Sequence, residues 1–287
     1  MGTQSKRLRQ LLGSGEHFIA AECYSALTAR IVERIGFQAC YVGGHACSAF
    51  HYAVPDNGVF SQVEQIEQTA RMAAAVDIPL IADADTLGET VADAFHFTRR
   101  YERAGIAGIH VEDEINPKHS AGYAGALLPI PDMQARLEAA AKARDGDDGI
   151  VIIARCDELY RKKRGGGGDG SVEEAIRRGR AYMEAGADAL VFPLSTPEEQ
   201  AEIIKAIPKA PMCVLGFTLP DTACTLSTGW GWMGAAQLHI ARGKELFETG
   251  TIQNLEYVLE GKDQLIEQDV YDALIGDWAS KTGREAR

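Results

Sequence analysis

RAGIAGIHVED, residues 103–113, carries the reading of the fold. It leaves a helical stretch through a glycine, enters a short apolar segment and closes on two acids. Glycine just past the last helical turn is a common helix stop. An unbroken apolar run of this length fits a strand buried on both faces, as in a parallel sheet. The same punctuation recurs in RIGFQACYVGG (34–44) and EAGADALVFPL (184–194). Between these lie three more apolar runs, DIPLIADAD (77–85), DGIVIIARCD (148–157) and KAPMCVLGF (209–217). HFIAAE (17–22) and the weaker TACTLST (222–228) bring the candidate strands to eight.

Helical stretches separate most of these runs, at 25–35, 61–76, 88–104, 131–144, 171–185 and 196–206. Strand and helix alternating over this length predict an α/β fold, a closed (β/α)₈ TIM barrel over residues 1–250. The alternative is an open doubly wound sheet, but no G-x-G-x-x-G follows the first strand. Residues 230–249 read as the final barrel helix, and 251–287 as a C-terminal helical extension. The tail carries Leu255, Val258, Leu259, Leu265, Ile266, Val270, Leu274, Ile275 and Trp278. That apolar face needs a cover, which a neighbouring subunit would supply by packing or helix exchange.

The chain has 287 residues, 46% hydrophobic and 24% charged, enough apolar material for one sizeable core. No apolar run reaches the ~18 residues of a membrane span. MGTQSKRLRQLLGSGEHF at the start lacks the long apolar centre of a secretory signal. The six cysteines are scattered without a C-x-x-C pair, which reads as reduced thiols of a cytoplasmic protein. A net charge of −12 disfavours general nucleic-acid binding. It leaves room for a small anionic substrate wherever a metal reverses the local field.

Barrel enzymes work at the C-terminal ends of their strands. Those ends carry Gly43, Gly44 and His45; Asp83 and Asp85; Glu112, Asp113 and Glu114; Arg155 and Asp157. On an extended backbone Asp83 and Asp85 project to the same side. Converging carboxylates repel unless a cation or proton neutralises them, and hard oxygen ligands with open positions suit Mg²⁺. Glu112, from the next strand, would complete such a site. Arg155 fits two roles, salt-bridge partner of the acids or bidentate clamp for a substrate carboxylate. Gly43-Gly44 either lets backbone approach a ligand or simply makes a tight turn. His110, inside a strand, reads as a packed core histidine. RKKRGGGGDGS (161–171), with four glycines at 165–168, is a solvent loop or a basic lid.

YVGG (41–44), PD (55–56), IADADTLGE (81–89), GIHVEDEINPK (108–118), IIARCDE (152–158) and GADALVFP (186–193) occur in an order that resembles the isocitrate lyase/phosphoenolpyruvate mutase superfamily. The resemblance covers about residues 17–195. It implies a barrel holding Mg²⁺, or Mn²⁺ in its place, and 2-oxo or 2-hydroxy carboxylate substrates. It implies chemistry through a metal-held enolate, and a homotetramer built as a dimer of dimers. By motif, Asp85 resembles the direct metal ligand, Asp83 and Glu112 ligands through water, and Asp56 a further acid near the metal. Arg155 resembles the carboxylate clamp, and Tyr41, Gly43 and Gly44 the substrate-binding turn, with His45 beside them.

The departures are as informative. Lyases of the superfamily carry K-K-C-G-H on a loop, where this chain has Lys118, His119, Ser120, Ala121, Gly122 and Tyr123. A serine hydroxyl is a far weaker acid than a thiol, so Lys118, His119, Ser120 and Tyr123 are the remaining candidates for proton transfer. Leu194 and Leu215 stand where lyases carry a Glu and an Asn. A tricarboxylate would there leave charge unpaired, which disfavours isocitrate and methylisocitrate. The preferred reading is a Mg²⁺-dependent carbon–carbon lyase that decarboxylates an oxaloacetate-like acid, since that step needs no cysteine. Alternatives are P–C bond chemistry (phosphonopyruvate hydrolase or phosphoenolpyruvate mutase) and cleavage of an alkyl-substituted malate-type acid in a pocket lined by Leu194 and Leu215. A non-enzymatic scaffold would have no need of the acids or Arg155.

Overall fold

The computed structural model describes residues 3–118, 127–163, 170–216, 218–252 and 262–282. His119, Ser120, Tyr123, the four-glycine run and Leu255, Val258 and Leu259 therefore lie outside the described residues. Eight strands form: β1 (Phe18–Glu22), β2 (Ala39–Val42), β3 (Leu80–Asp83), β4 (Gly108–Glu112), β5 (Val151–Arg155), β6 (Ala189–Val191), β7 (Met212–Leu215) and β8 (Cys224–Leu226). They pair in chain order, all parallel, and β8 closes onto β1. The expected barrel is present, and each strand falls inside its expected segment.

The helices are α1 (Thr3–Gly13), α2 (Ala26–Ile35), α3 (Gly44–Tyr52), α4 (Gln62–Ala73), α5 (Val91–Arg103), α6 (Ile130–Ala143), α7 (Glu158–Lys163), α8 (Val172–Glu184), α9 (Pro197–Ala206), α10 (Trp230–Thr249), α11 (Lys262–Leu265) and α12 (Gln268–Thr282). Four of them start from capping boxes: Ser25 with Thr28, Ser61 with Glu64, Thr90 with Asp93, and Thr196 with Glu199. The recurrent glycines Gly36, Gly105 and Gly186 take φ of 102°, 85° and 99°, as a helix stop requires. Helices α1, α3 and α7 have no counterpart among the stretches expected from sequence. YVGG is accordingly not a turn: Gly43 caps α3 and Gly44 begins it.

Alternation along each strand sorts the apolar side chains into two layers. Phe18, Tyr41, Ile81, Val151, Ile153 and Leu226 face the barrel interior, joined by Leu8 and Leu12 of α1. Val42, Leu80, Ile109, Val111 and Ile152 face outward onto Ile66, Tyr101, Leu137 and Tyr182 of the helices. Helix α1 seals the N-terminal end. Arg9 donates to the carbonyls of Gly149 and Ile150, just before β5, and pairs with Asp188. The interior face is therefore apolar at the bottom and polar only where the strands end.

The chain divides into two compact units, Met1–Met233 and Gly234–Arg287. The first contains the whole barrel. In the second, Val270, Leu274, Ile275 and Trp278 of α12 are exposed. No helix of the described residues is long and apolar enough to cross a membrane.

Leu8 is fully buried at the barrel floor. Leu8→Ala removes its packing from the interior and is expected to cost about 2–5 kcal/mol. A lowered urea midpoint at unchanged far-UV circular dichroism checks this. An unchanged midpoint would mean that α1 does not seal the barrel.

Candidate active site at the barrel mouth

The inward alternation that places Ile81 in the core also turns Asp83, His110, Glu112 and Arg155 inward. Register sets Asp83 beside His110, and Glu112 beside Arg155. Asp113 points the other way. It accepts from Tyr182 Oη at 2.6 Å and Arg178 Nη1 at 3.2 Å, locking β4 to α8. The adjacent acids of the E-D pair thus serve different layers.

Lys118, fully buried, brings its ammonium into this group. Nζ lies 2.5 Å from Asp85 Oδ1, 3.0 Å from Asp56 Oδ1 and 3.3 Å from Glu112 Oε1. Arg155 bridges two of the acids, Nη1 to Glu112 Oε2 at 3.0 Å and Nε to Asp157 Oδ1 at 2.9 Å. Neither Glu112 oxygen nor Asp157 Oδ2 receives a hydrogen bond among the described residues. Glu112, Glu114 and Asp157 also offer three carboxylate oxygens within 4.8 Å of one another. Four buried carboxylates, Asp83, Asp85, Glu112 and Asp157, are thus met by two cations among the described residues. The donors are hard oxygens and their charge is under-compensated, which fits a divalent cation such as Mg²⁺.

The segment after β3 is shaped and braced. Asp83 is the last strand residue, whereas Asp85 takes φ 47° and Leu87 φ 56°, left-handed positions that cost a side-chain-bearing residue energy. Asp85 therefore reaches the cluster from a strained turn and not from an extended backbone. Gln65 Nε2 holds the Asp83 carbonyl at 2.7 Å, Gln62 Nε2 the Ala84 carbonyl at 2.8 Å, and Arg136 the carbonyls of Thr86, Gly88 and Glu89. Asp83 itself accepts from the amides of Gly44 at 3.1 Å and Asp85 at 2.9 Å. A Cβ on Gly44 would stand 3.1 Å from Asp85 Oδ1 and 3.2 Å from Asp83 Oδ2, so only glycine leaves these carboxylates undisturbed.

Burial and charge pull these acids apart. Burial opposes ionisation of Asp83, yet His110, Lys118 and Arg155 bring its pKa down to about 2. Burial dominates at Asp85, pushed up to about 8, and at Asp157, pushed up to about 7. The carboxylates around Lys118 outweigh its burial and keep it charged. His110 is fully buried, as a core histidine would be, and burial lowers its pKa. It is also part of the polar cluster: its Nε2 lies 2.8 Å from Tyr41 Oη and 3.5 Å from Asp83 Oδ1.

Above the cluster opens a cavity of about 640 Å³. One side is polar, formed by Tyr41, Gly43, Gly44, His45, Asp56, Asp83 and Arg155. The other is mainly apolar, with Tyr160, Phe192, Pro193, Leu194, Val214, Leu215, Leu219, Trp232 and Met233 beside Ser195 and Thr228. Leu194 holds φ 57° there, a left-handed position. Glu22, closing β1, accepts from the amides of Gly229 at 2.5 Å, Gly231 at 2.7 Å and Trp232 at 3.4 Å, which anchors the start of α10 and its Trp232. Trp232 in turn lies 4.9 Å from the His45 ring, centroid to centroid.

The sequence-derived acids Asp56, Asp83, Asp85 and Glu112 thus converge with Arg155 and Lys118. Tyr41, Gly43, Gly44, His45, Leu194 and Leu215 line the cavity. Sequence reasoning noted Glu114 and Asp157 at strand ends without giving them a role, and missed Glu22 and Tyr160. Glu22 carries a usable signal, a strand-end acid facing the G-W-G start of the final barrel helix.

The family model described as phosphoenolpyruvate phosphomutase matches residues 8–231. The chain belongs to this family. With it, the chain stands among the carbon–carbon lyases of the isocitrate lyase/phosphoenolpyruvate mutase superfamily. It is 33% identical to 2,3-dimethylmalate lyase of Eubacterium barkeri, covering 77% of this chain and 71% of the relative. It is 32% identical to phosphonopyruvate hydrolase of Variovorax sp., over 92% and 94%. It is 27% identical to oxaloacetate decarboxylase of Paraburkholderia xenovorans, over 93% and 89%. Among solved structures, a phosphonopyruvate hydrolase complexed with oxalate and Mg²⁺ superposes with a TM-score of 0.81 at 28% identity, covering 95% of this chain and 98% of that one.

Two outcomes test the geometry. Gly44→Ala is expected to leave the fold intact and weaken Mn²⁺ binding, measured by calorimetry, about tenfold or more by pushing Asp83 and Asp85 apart. Equal affinity would remove Gly44 from the site. The pH dependence follows from Asp85 and Asp157. Their folded pKa values lie above the unfolded value of about 4, so the folded chain binds protons that the unfolded chain releases. Stability of metal-free protein should therefore fall as pH rises from about 4 to about 8. Asp157→Asn should flatten this slope in urea titrations with chelator; a slope unchanged by the substitution would contradict the assignment.

Proposed function

We propose that this protein is a Mg²⁺-dependent carbon–carbon lyase acting on a small 2-oxo or 2-hydroxy carboxylate, and that its reaction is decarboxylation of an oxaloacetate-like acid. The observation that carries this is the one-sidedness of the cavity. Arg155 is the one cationic side chain among its described lining residues, and the wall opposite the acids is mainly apolar. Asp85 would hold the ion directly, with Asp83, Glu112 and Asp56 acting through water. When bound, the ion supplies Lewis-acid stabilisation of charge developing at the 2-oxo oxygen.

This chain's own residues do the rest. Arg155, its guanidinium oriented by Glu112 and Asp157, takes the carboxylate next to the 2-oxo carbon. Tyr41, fixed by its hydrogen bond to His110, and the Gly43-Gly44 junction position the head of the substrate. The second carboxylate then faces Leu194, Leu215 and Phe192. An apolar wall disfavours a carboxylate and accepts neutral CO₂, so it lowers the cost of losing it. Lys118, His119 and Ser120 are the candidates for returning a proton to carbon.

The same wall favours a second reading, cleavage of an alkyl-substituted malate-type acid, with the substituent against Leu194 and Leu215. P–C bond chemistry is the weaker alternative, because a phosphonate brings extra charge to a cavity with a single cation among its described lining residues. The exposed apolar residues of α12 support a homo-oligomer, and the proposed division remains a barrel over 1–250 with an extension over 251–287.

The test is CO₂ release from oxaloacetate and its 3-alkyl analogues by purified protein, with Mg²⁺ or with chelator. Parallel assays follow pyruvate or glyoxylate release from 2-alkylmalates, and phosphorus NMR follows phosphonopyruvate. Metal-dependent CO₂ release supports the first reading. Cleavage of malates alone moves the assignment to the second, and turnover of phosphonopyruvate alone sinks both. Arg155→Lys loses the two-sided fork and should lower kcat/KM for the true substrate by roughly a hundredfold. A wild-type rate in this variant would exclude Arg155 as the clamp.

A further inference from the structure

Lys118 is the least expected member of the cluster. Its Nζ stands at the convergence of three carboxylate oxygens drawn from three parts of the chain: Asp56 beyond α3, Asp85 beyond β3 and Glu112 at the end of β4. An ammonium has three donors and no acceptor, and here three carboxylate oxygens stand within 3.3 Å of it. The side chain is fully buried, so this position is not a surface lysine folded over an acidic rim. Asp56 and Asp83 line the cavity, whereas Asp85, Glu112 and Lys118 are not among its lining residues. The ammonium thus shares the inner acids with the position a divalent ion would need.

Resting on the metal-site reading above, we infer that Lys118 is an intrinsic counter-cation of this site, and that its ammonium and a divalent metal ion are mutually exclusive occupants of the Asp56–Asp85–Glu112 cluster. The argument is one of space. Lys118 Nζ stands 2.5–3.3 Å from these oxygens, where an ion ligated directly at about 2.0–2.1 Å, or its bound waters, would have to fit. Nζ fills the space in which the three oxygens converge, so an ion that draws the same oxygens to itself must displace it. Without metal, Lys118 keeps the acids together and the barrel mouth assembled. With metal, the ammonium withdraws and the ion takes over the same oxygens. The apparent metal affinity is then reduced by the fraction of molecules in which Lys118 holds the cluster.

The test uses the full-length protein with Mg²⁺ or Mn²⁺ alone as the probe. Lysine footprinting with an acetylating reagent, read by mass spectrometry, should show Lys118 protected in chelator and labelled several-fold faster with saturating metal, other lysines being unchanged. General stabilisation by metal would act in the opposite direction. Calorimetry should show Lys118→Met binding Mn²⁺ about tenfold or more tightly than wild type. The metal-induced rise in Tm should also be larger in the variant, because its metal-free state has lost the internal cation. Lys118 that stays protected while metal binds overturns the inference and leaves the metal site standing. Absence of metal binding in both wild type and Lys118→Met overturns the metal-site reading itself. If Lys118→Met does not fold, footprinting of the wild type decides alone.

Discussion

Carboxylates buried next to one another set the terms for the whole C-terminal end of this barrel. Asp83, Asp85, Glu112 and Asp157 are all withdrawn from water, and each would be costly alone. Lys118 and Arg155 meet part of that charge. Protons meet more, since burial raises Asp85 and Asp157 while nearby cations keep Asp83 ionised. Such an arrangement is a poor way to stabilise a fold. An apolar cluster of the same volume would do at least as well. Its persistence at the strand ends, above an interior that is otherwise apolar, points to a site shaped for a cation and an anion together.

The surrounding structure is organised to hold that charge still. The turn after β3 carries two left-handed residues and is fastened by Gln62, Gln65 and Arg136 through its carbonyls. Gly44 removes the side chain that would collide with Asp83 and Asp85. Asp113 ties β4 to α8 from the outer layer, so Glu112 is fixed from behind. Glu22 does the same for the far wall by gathering the free amides at the start of α10. Rigid strands supply position, and side chains from the outer layer supply orientation.

Much of this was legible in the sequence because the barrel has a simple grammar. Strands buried on both faces read as apolar runs, and helix stops read as glycines. The first polar residues after each run mark the mouth. Helix α1 escaped because its apolar face is short, Leu8, Leu11 and Leu12 beside Lys6, Arg7 and Arg9. Helix α3 escaped because GHACSAFHY opens on a glycine and has little apolar periodicity. The D-x-D pair was found for a reason that holds only by half. Asp83 is a strand residue, but Asp85 arrives through a positive φ that no propensity foretells. The place of Lys118 was out of reach as well, since nothing local shows that a side chain beyond β4 meets Asp56, 62 positions earlier in the chain.

The two halves of the cavity constrain chemistry differently. The acidic side gathers hard carboxylate oxygens around Arg155, a donor set that suits a cation and an anionic head group together. A phosphonopyruvate hydrolase of similar fold was solved with Mg²⁺ and oxalate together. The apolar side decides what happens next to the head group, and here the chain is its own guide. Leu194 and Leu215 offer a second carboxylate no side-chain hydrogen bond, the feature on which both proposed reactions rest. Both readings share one physical origin: an unsolvated wall facing a strongly polar floor. Under the proposed function, that contrast favours acids whose far end leaves or is already apolar.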